Sequence, residues 1–252
     1  RGACDQCGSS DAHVYYADGH SHCHKCGHHT PASKQNKQEF KVSVSTNNVT
    51  PISTASLPSG QYLPLNDRNI SVDVAKKYGI ESKQHPNGHI TSHYYRYYDK
   101  KGNITAVKER HVDTKGFNWT GNSSNSALFG QNLFNGGGKM VTLCEGELDA
   151  ASVYQMNGGY PAVSVQNGAQ SALKSCKRSF EFLDKFEEII ICFDNDDAGC
   201  KAANEVAELF APGKCSILTT ELKDPNEYLK QGRSKQFMNE FWNNKRIYAP
   251  DG

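Results

Sequence analysis

The chain has 252 residues, of which 37% are hydrophobic and 22% are charged, and its formal net charge is +1. This length holds one large domain or two to three small ones. The low net charge excludes a basic field over the whole surface that would attract nucleic acid. Any attraction for phosphates must therefore come from local basic patches. The longest apolar run, residues 189–193, is far too short to cross a bilayer, and no secretory signal is visible. We therefore expect a cytoplasmic protein without a membrane partner.

Residues 1–30 are rich in Cys, His and Gly and contain few aliphatic side chains, so they cannot build an apolar core of useful size. Four cysteines stand there in two Cys-x-x-Cys pairs, Cys4 with Cys7 and Cys23 with Cys26. This spacing is typical of a zinc ribbon in which four thiolates hold one Zn²⁺, and the bound ion then supplies the folding free energy. A disulfide pair and an iron site are the alternatives.

Several histidines surround the predicted zinc site, but four thiolates already complete the coordination of zinc. His20 stands on the turn at residues 17–20, where an exposed side chain is able to contact a base or a phosphate. The alternative is that the ribbon is a structural element only. The other five cysteines stand singly, mostly in apolar runs, which predicts buried reduced thiols and a reducing compartment.

Residues 31–60 change in character, because Ser, Thr, Asn, Lys and Pro dominate them. This composition predicts a flexible linker, with at most a short strand at residues 40–44. Residues 61–135 predict a small mixed α+β subdomain with a capped helix at 71–78 and a hairpin formed by 90–98 and 104–110. Within the next segment, Gly136-Gly-Gly-Lys139 precedes a strand instead of a helix, so it is not an ATP-binding loop.

Residues 136–252 show an α/β rhythm and predict the catalytic subdomain with a C-terminal extension. Near-continuous apolar strands are predicted at 140–144, 160–165, 188–193 and 214–219. Helical spacing follows the first strand as far as Met156, and recurs at 173–183 and 198–209. Buried strands that alternate with helices predict an α/β fold with a mostly parallel sheet covered on both faces. In such sheets, functional sites lie beyond the carboxyl ends of the strands.

Acidic residues follow the predicted strands at those carboxyl ends. Carboxylates gathered there repel one another unless cations neutralise them, and oxygen ligands suit Mg²⁺ or Mn²⁺. The alternative is that single acids only cap the following helices. The first cluster contains Glu145, Glu147 and Asp149, the second contains Asp194, Asp196 and Asp197, and a third contains Asp224 and Glu227.

A basic stretch precedes the α/β region. Lys108, Arg110 and Lys115 are followed by Phe117 and Trp119. Cationic residues on a strand, followed by aromatic residues, suit contacts with a triphosphate and a base. The alternative is an ordinary solvated face of the protein.

The motifs Glu145-Gly-Glu-Leu-Asp149 and Asp194-Asn-Asp196-Asp-Ala-Gly199 resemble the Toprim signature, which occurs in bacterial-type primases, topoisomerases and some nucleases. Together with the cysteine ribbon they are similar to the primase half of the phage T7-type primase-helicases. Further similar motifs are Ala127-Leu-Phe-Gly130, Gly137-Gly-Lys139, Lys223-Asp224-Pro-Asn226-Glu227 and the closing Ile247-Tyr-Ala-Pro-Asp-Gly252. The resemblance runs along essentially the whole chain.

The resemblance implies a DNA primase that makes short RNA primers on single-stranded DNA, with a zinc ribbon that reads the template. Its implied partners are the template, ribonucleoside triphosphates, a helicase domain beyond the C-terminus and a replicative DNA polymerase at primer hand-off, in the phage replisome of the host cytoplasm. A Toprim nuclease and a non-enzymatic module that binds single-stranded DNA are the other hypotheses. The implied roles are metal binding and catalysis for Glu145, Asp194 and Asp196, support of the metals for Glu147, Asp149 and Asp224, nucleotide binding for Lys108, Arg110 and Lys115, and template recognition for His20.

Overall fold

The computed structural model describes residues 3–10, 13–15, 21–23, 25–26, 28–30 and 57–249. The chain divides into two compact units, Arg1–Val49 and Thr50–Gly252, and each is described by itself. His20, the short strand expected at 40–44 and most of the predicted linker lie outside the described residues. The predicted domain boundaries stay predictions.

The first unit contains a small antiparallel sheet of three strands in the order β1-β2-β3. The turn that carries the first cysteine pair closes when the Gly8 amide donates to the Cys4 carbonyl (2.8 Å), with Gly8 in the left-handed region at φ +64°. The Cys23 amide donates to the His28 carbonyl at 2.8 Å. The strands are β1 (His13–Tyr15), β2 (Ser21–Cys23) and β3 (His29–Thr30).

The second unit begins with a helix and an antiparallel sheet of four strands in the order β4-β5-β6-β7. The predicted capped helix is confirmed, since the Ser71 hydroxyl accepts a hydrogen bond from the Val74 amide at the start of α1. The predicted hairpin is confirmed as the β5–β6 pair. The elements are α1 (Val72–Tyr78), β4 (Ile80–Gln84), β5 (Ile90–Tyr98), β6 (Ile104–His111) and β7 (Phe117–Gly121).

A second sheet of five strands has the order β12-β11-β10-β8-β9. Its strands pair in parallel except for β12, which is antiparallel at one edge, so the mostly parallel sheet is confirmed. The strands are β8 (Gly138–Cys144), β9 (Ala162–Ser164), β10 (Phe186–Cys192), β11 (Cys215–Leu218) and β12 (Lys245–Ile247). The helices are α2 (Glu147–Met156), α3 (Ala169–Arg178), α4 (Phe180–Leu183), α5 (Asp197–Ala207), α6 (Pro225–Lys230) and α7 (Ser234–Asn243).

Two apolar cores cover the two faces of the parallel sheet. Leu148 of α2, Leu229 of α6 and Phe237 of α7 belong to one core, and Cys176 of α3 and Val206 of α5 belong to the other. The first core also contains side chains of the antiparallel sheet. Helices therefore cover both faces, as predicted, and one continuous core joins the two sheets on the side where α2 lies.

Two details differ from the sequence predictions. The single helix expected at 173–183 is broken at Ser179, whose backbone (φ −101°, ψ 17°) ends α3 and precedes α4. Four of the five single cysteines are buried as expected, but Cys200 on α5 is exposed.

Within residues 57–249 and the described parts of the first unit, no helix is long and apolar enough to cross a membrane.

We expect the buried His93 to make the stability of the second unit depend on pH. Its side chain is 1% exposed, its Nδ1 atom lies 3.0 Å from the Ser82 hydroxyl, and burial lowers its pKa to about 4. Asp67 raises this pKa, whereas Arg68 and Arg110 lower it further. Because the unfolded chain takes up this proton near pH 6.5 and the folded chain only near pH 4, stability is lost as the pH falls through that window, by about 2–4 kcal/mol.

The variant His93→Gln cannot take up that proton. Between pH 7 and pH 4.5 its free energy of unfolding should therefore fall by about 2 kcal/mol less than that of the unmodified chain. Urea unfolding at the two pH values measures the difference. An identical loss of stability in both proteins would show that other groups cause the acid sensitivity.

Candidate active-site cleft

A cleft of about 400 Å³ opens in the second unit beside the ends of β8 and β10. Acidic residues line one part of it and cationic residues another. Most of the residues predicted as a site lie here, although they are separated by as many as 116 positions along the chain. The lining includes Arg68, Lys108, Arg110, Lys115, Phe117, Glu145, Glu147, Asp149, Asn167, Asp194, Lys223, Asp224 and Asn226.

The register of the parallel sheet brings the first two acidic clusters together. Cys144 pairs with Cys192 across β8 and β10, so the residues that follow these strands emerge at the same edge of the sheet. The Glu145 carboxylate accepts hydrogen bonds from the Asp194 amide (3.3 Å) and from the Ala169 amide (3.1 Å). Glu145 is therefore fixed between the ends of two neighbouring strands.

The carboxylates of the cleft lie in an environment that disfavours their negative charge. Burial and then the charge of Asp194 raise the pKa of Glu145, and burial raises that of Asp194 despite its salt bridge with Lys223 (3.2 Å). Burial and Asp224 raise the pKa of Asp149 well above its usual value. Because these oxygen donors repel one another, the cluster fits a hard divalent cation such as Mg²⁺ or Mn²⁺.

Two glycines make this crowding of acids possible. A Cβ atom at Gly146 would lie 2.5 Å from the Asp149 carboxylate, and one at Gly199 would collide with the Asp194 carbonyl oxygen. The Gly199 amide instead donates to the Asp196 carboxylate at 2.9 Å. The small residues of the two acidic motifs therefore allow close approach around the cluster.

Two of the acids also cap helices. The Asp196 side chain caps α5 through the Gly199 amide, and the Asp224 side chain caps α6 through the Glu227 amide at 2.9 Å. Asp224 lines the cleft, whereas Asp196 is not among the lining residues, although one of its oxygens lies 3.9 Å from Lys223 Nζ. The alternative that acids cap the following helices is therefore correct for Asp196 and Asp224, and it holds alongside the clustering of the acids.

Lys108 and Glu147 form a buried ion pair at the base of the cleft. The Lys108 ammonium donates to the Glu147 carboxylate (2.7 Å) and to the Gln166 carbonyl (2.9 Å), and the Tyr97 hydroxyl donates to the same carboxylate oxygen (2.6 Å). Both charged residues are less than a tenth exposed. These contacts join the antiparallel sheet to the start of α2, so we infer that both residues position the cleft.

The variant Lys108→Met should destabilise the second unit by about 3–5 kcal/mol, because it leaves the buried Glu147 carboxylate without its cation. The double variant Lys108→Met with Glu147→Gln should recover most of that loss. Urea unfolding of both variants measures the two free energies. A single variant as stable as the unmodified chain would show that the pair contributes nothing to folding.

Residues that the sequence analysis did not select also line the cleft. The Arg68 guanidinium donates to the Asn226 side-chain oxygen at 3.3 Å, and the Asn226 amide group donates back to the Arg68 carbonyl at 3.0 Å. Nothing in the sequence around Arg68 marks it as a site residue, since its partner is 158 positions away. Lys223 could have been selected from the sequence, because it stands directly before Asp224 of the third acidic cluster.

The four cysteines of the first unit converge on one point. Their Sγ atoms all lie within 4.8 Å of one another, with Cys4 and Cys26 at 3.8 Å and Cys7 and Cys23 at 3.7 Å. Zn–S bonds of about 2.3 Å in a tetrahedron place neighbouring sulfur atoms roughly 3.8 Å apart. The described cysteines therefore form a site that could hold zinc.

The pKa values of two of these thiols also favour a bound cation. The Cys26 amide lowers the pKa of Cys23 to about 6. At Cys26 itself the His28 amide lowers the pKa, but burial and the neighbouring sulfur atoms of Cys23, Cys7 and Cys4 together raise it to about 12. The thiol of Cys26 therefore keeps its proton near neutral pH unless a bound cation stabilises its thiolate.

Comparison with known proteins agrees with this fold. Residues 142–229 match the Toprim-like family. The chain is 36% identical to the DNA helicase/primase of Enterobacteria phage T3 over 254 aligned residues, which is 99% of this chain but 44% of that protein. The chain thus spans less than half the length of this relative.

Two solved structures of bacteriophage T7 are similar over most of their own length. The primase fragment of the T7 primase-helicase is 33% identical, with a TM-score of 0.67 over 96% of this chain and 98% of that one. A primase domain from a complex with the T7 lagging-strand DNA polymerase, an RNA/DNA hybrid and dTTP is 36% identical, with a TM-score of 0.65 over 75% of this chain and 94% of that one. The chain therefore belongs to the family of the primase portions of phage T7-type primase-helicases.

Proposed function

We propose that the chain synthesises short RNA primers on single-stranded DNA by template-directed, metal-dependent nucleotidyl transfer during phage DNA replication. The observation that carries the proposal is the meeting of a carboxylate cluster with Arg68, Arg110 and Lys115 in one cleft. Such a cleft suits a triphosphate together with divalent cations, because the metal ions and the Arg and Lys side chains both neutralise phosphate oxygens. Membership of the primase family supports the same activity.

In this mechanism Glu145, Asp194 and Asp196 would hold Mg²⁺ or Mn²⁺, with Asp149 and Asp224 close by. Such ions, when bound, would make a hydroxyl more nucleophilic and would offset the negative charge of a pyrophosphate. Arg110 and Lys115 bind the triphosphate of the incoming ribonucleotide, and Arg68 extends this cationic side of the cleft. The 3′-hydroxyl of one ribonucleotide forms a bond to the α-phosphorus of the other and loses its proton to solvent water. The bond between that α-phosphorus and the pyrophosphate oxygen breaks, and pyrophosphate leaves.

Lys108 and Glu147 act differently from the roles implied by the resemblance. Their charges are already used on each other and on Tyr97 and Gln166. We therefore assign to both residues the positioning of the wall of the cleft. Arg110 and Lys115 carry the direct phosphate contacts.

We also propose that the four-cysteine site holds zinc and that the first unit, which contains this site, selects the template sequence through His20. The partners are single-stranded DNA, ribonucleoside triphosphates, a helicase domain and a replicative DNA polymerase at primer hand-off in the phage replisome of the host cytoplasm. Two facts about relatives support these partners. The phage T3 protein is a helicase/primase, and the T7 primase domains have been solved with a DNA polymerase and an RNA/DNA hybrid.

The decisive experiment offers the protein a library of single-stranded templates that differ in one trinucleotide, with labelled ribonucleotides and Mg²⁺. The expected result is short labelled RNA on a subset of templates, which disappears when Mg²⁺ is removed. Cleavage of the template without incorporation would favour the Toprim nuclease. Binding of single-stranded DNA with neither reaction would favour the non-enzymatic binding module.

A further inference from the structure

One aromatic side chain stands exposed in the charged cleft. Phe117, the first residue of β7, lines the cleft and is 54% exposed. Tyr95 and Tyr97 of the same sheet are buried and do not line the cleft. An exposed ring within an otherwise charged binding site indicates a ligand that has a flat apolar part as well as charges.

The strand register places this ring beside the cationic residues of the cleft. Phe117 lies directly opposite Arg110 in the β6–β7 ladder, and Trp119 lies opposite Lys108. Directly paired residues project from the same face of a sheet, so Phe117 shares a face with Arg110. A ligand whose phosphates contact Arg110 and Lys115 therefore has its non-phosphate part within reach of the ring.

The ring also has a rigid support. The Lys108 ammonium lies over the Phe117 ring, 5.1 Å from its centroid, and is itself held by Glu147 and Gln166. The same ammonium lies 5.7 Å from the centroid of the Trp119 ring, which packs against Tyr97 with centroids 5.0 Å apart. An aromatic surface held in this way is already ordered before a ligand binds, which lowers the entropic cost of binding.

We propose that Phe117 is the stacking platform for the base of a ribonucleoside triphosphate whose phosphates contact Arg110 and Lys115. The inference rests on the proposed function and adds the residue that holds the base. Stacking on an aromatic ring tolerates every base, because each base has a π face. This suits a site that must accept whichever nucleotide the template specifies.

The test compares Phe117→Trp, Phe117→Leu and Phe117→Ala in equilibrium binding of labelled ATP and, separately, of labelled CTP. The expected result is an increase in Kd of roughly ten-fold for Leu and Ala with both nucleotides, and a change of less than about two-fold for Trp. Displacement by inorganic tripolyphosphate measures phosphate binding alone. Its inhibition constant should be the same in all variants, because it has no base to stack.

A matched control is Tyr160→Ala, which removes an aromatic ring that is 48% exposed and does not line the cleft. It should leave both measurements unchanged. If the Phe117→Leu variant binds the nucleotides as tightly as the unmodified chain, the ring only shields Lys108 and the proposal is wrong. An equal weakening of tripolyphosphate binding would overturn it as well, since Phe117 would then act through the cations.

The binding measurement does not depend on catalysis. If the unmodified chain binds nucleotides but makes no RNA on any template, the proposed primase function fails while the Phe117 variants still decide the stacking role. If primers are made and the Phe117→Leu variant matches the unmodified chain in Kd, the function stands and the stacking role fails. The two proposals are therefore separated by their own outcomes.

Discussion

Replacing Asp194 with asparagine should lower the rate of dinucleotide synthesis by at least about 1,000-fold while the chain stays folded. The substitution keeps the shape of the side chain but removes a negative charge from the centre of the cluster, where Asp194 neighbours Glu145 and Lys223. Divalent cations are then held less tightly. Initial rates at saturating ribonucleotide, measured across a Mg²⁺ titration, give the size of the effect.

The stability of the Asp194→Asn variant should not fall, because the change relieves repulsion among carboxylates whose pKa values are already raised. Its thermal midpoint should equal or exceed that of the unmodified chain. Asp113→Asn is a matched control, since Asp113 pairs with His89 on the surface outside the cleft. Full activity of the Asp194 variant would exclude this cluster as the catalytic centre.

Replacing Cys23 with serine should release the zinc and reduce template-selective synthesis by at least about 100-fold. Cys23 is fully buried in the cysteine cluster, and binding of structural zinc contributes on the order of 10–16 kcal/mol to the folding of such small units. The carboxylate cleft belongs to the other unit, so nucleotide binding there should persist. Elemental analysis measures zinc per chain, and the template library measures selectivity.

Cys200→Ser provides the matched control, since Cys200 is an exposed cysteine outside the cluster. It should retain one zinc ion per chain and normal selectivity. Loss of zinc from Cys23→Ser without any change in the preferred trinucleotide would show that the ribbon is a structural element only. A protein that never contained zinc would contradict the metal assignment itself.

Local patterns along the chain predict some elements of the fold and miss others. Apolar spacing predicted β8 and β10 well, because buried parallel strands are nearly continuous runs of apolar residues. The break between α3 and α4 was missed, since helical spacing continues across Ser179 while the backbone does not. The helices α6 and α7 and the edge strand β12 were also not predicted individually, because their signals are short and weak.

The sequence was sufficient to predict the pairing of the four cysteines, the α/β architecture and the acidic residues at the strand ends. These features depend on spacing along the chain, which is visible without a fold. The folded structure is needed to see that Arg68 joins the cleft through Asn226 and that Lys108 forms an ion pair with Glu147. Such pairings join residues 158 and 39 positions apart. They arise from the packing of two sheets on a shared core, so no local pattern in the chain records them.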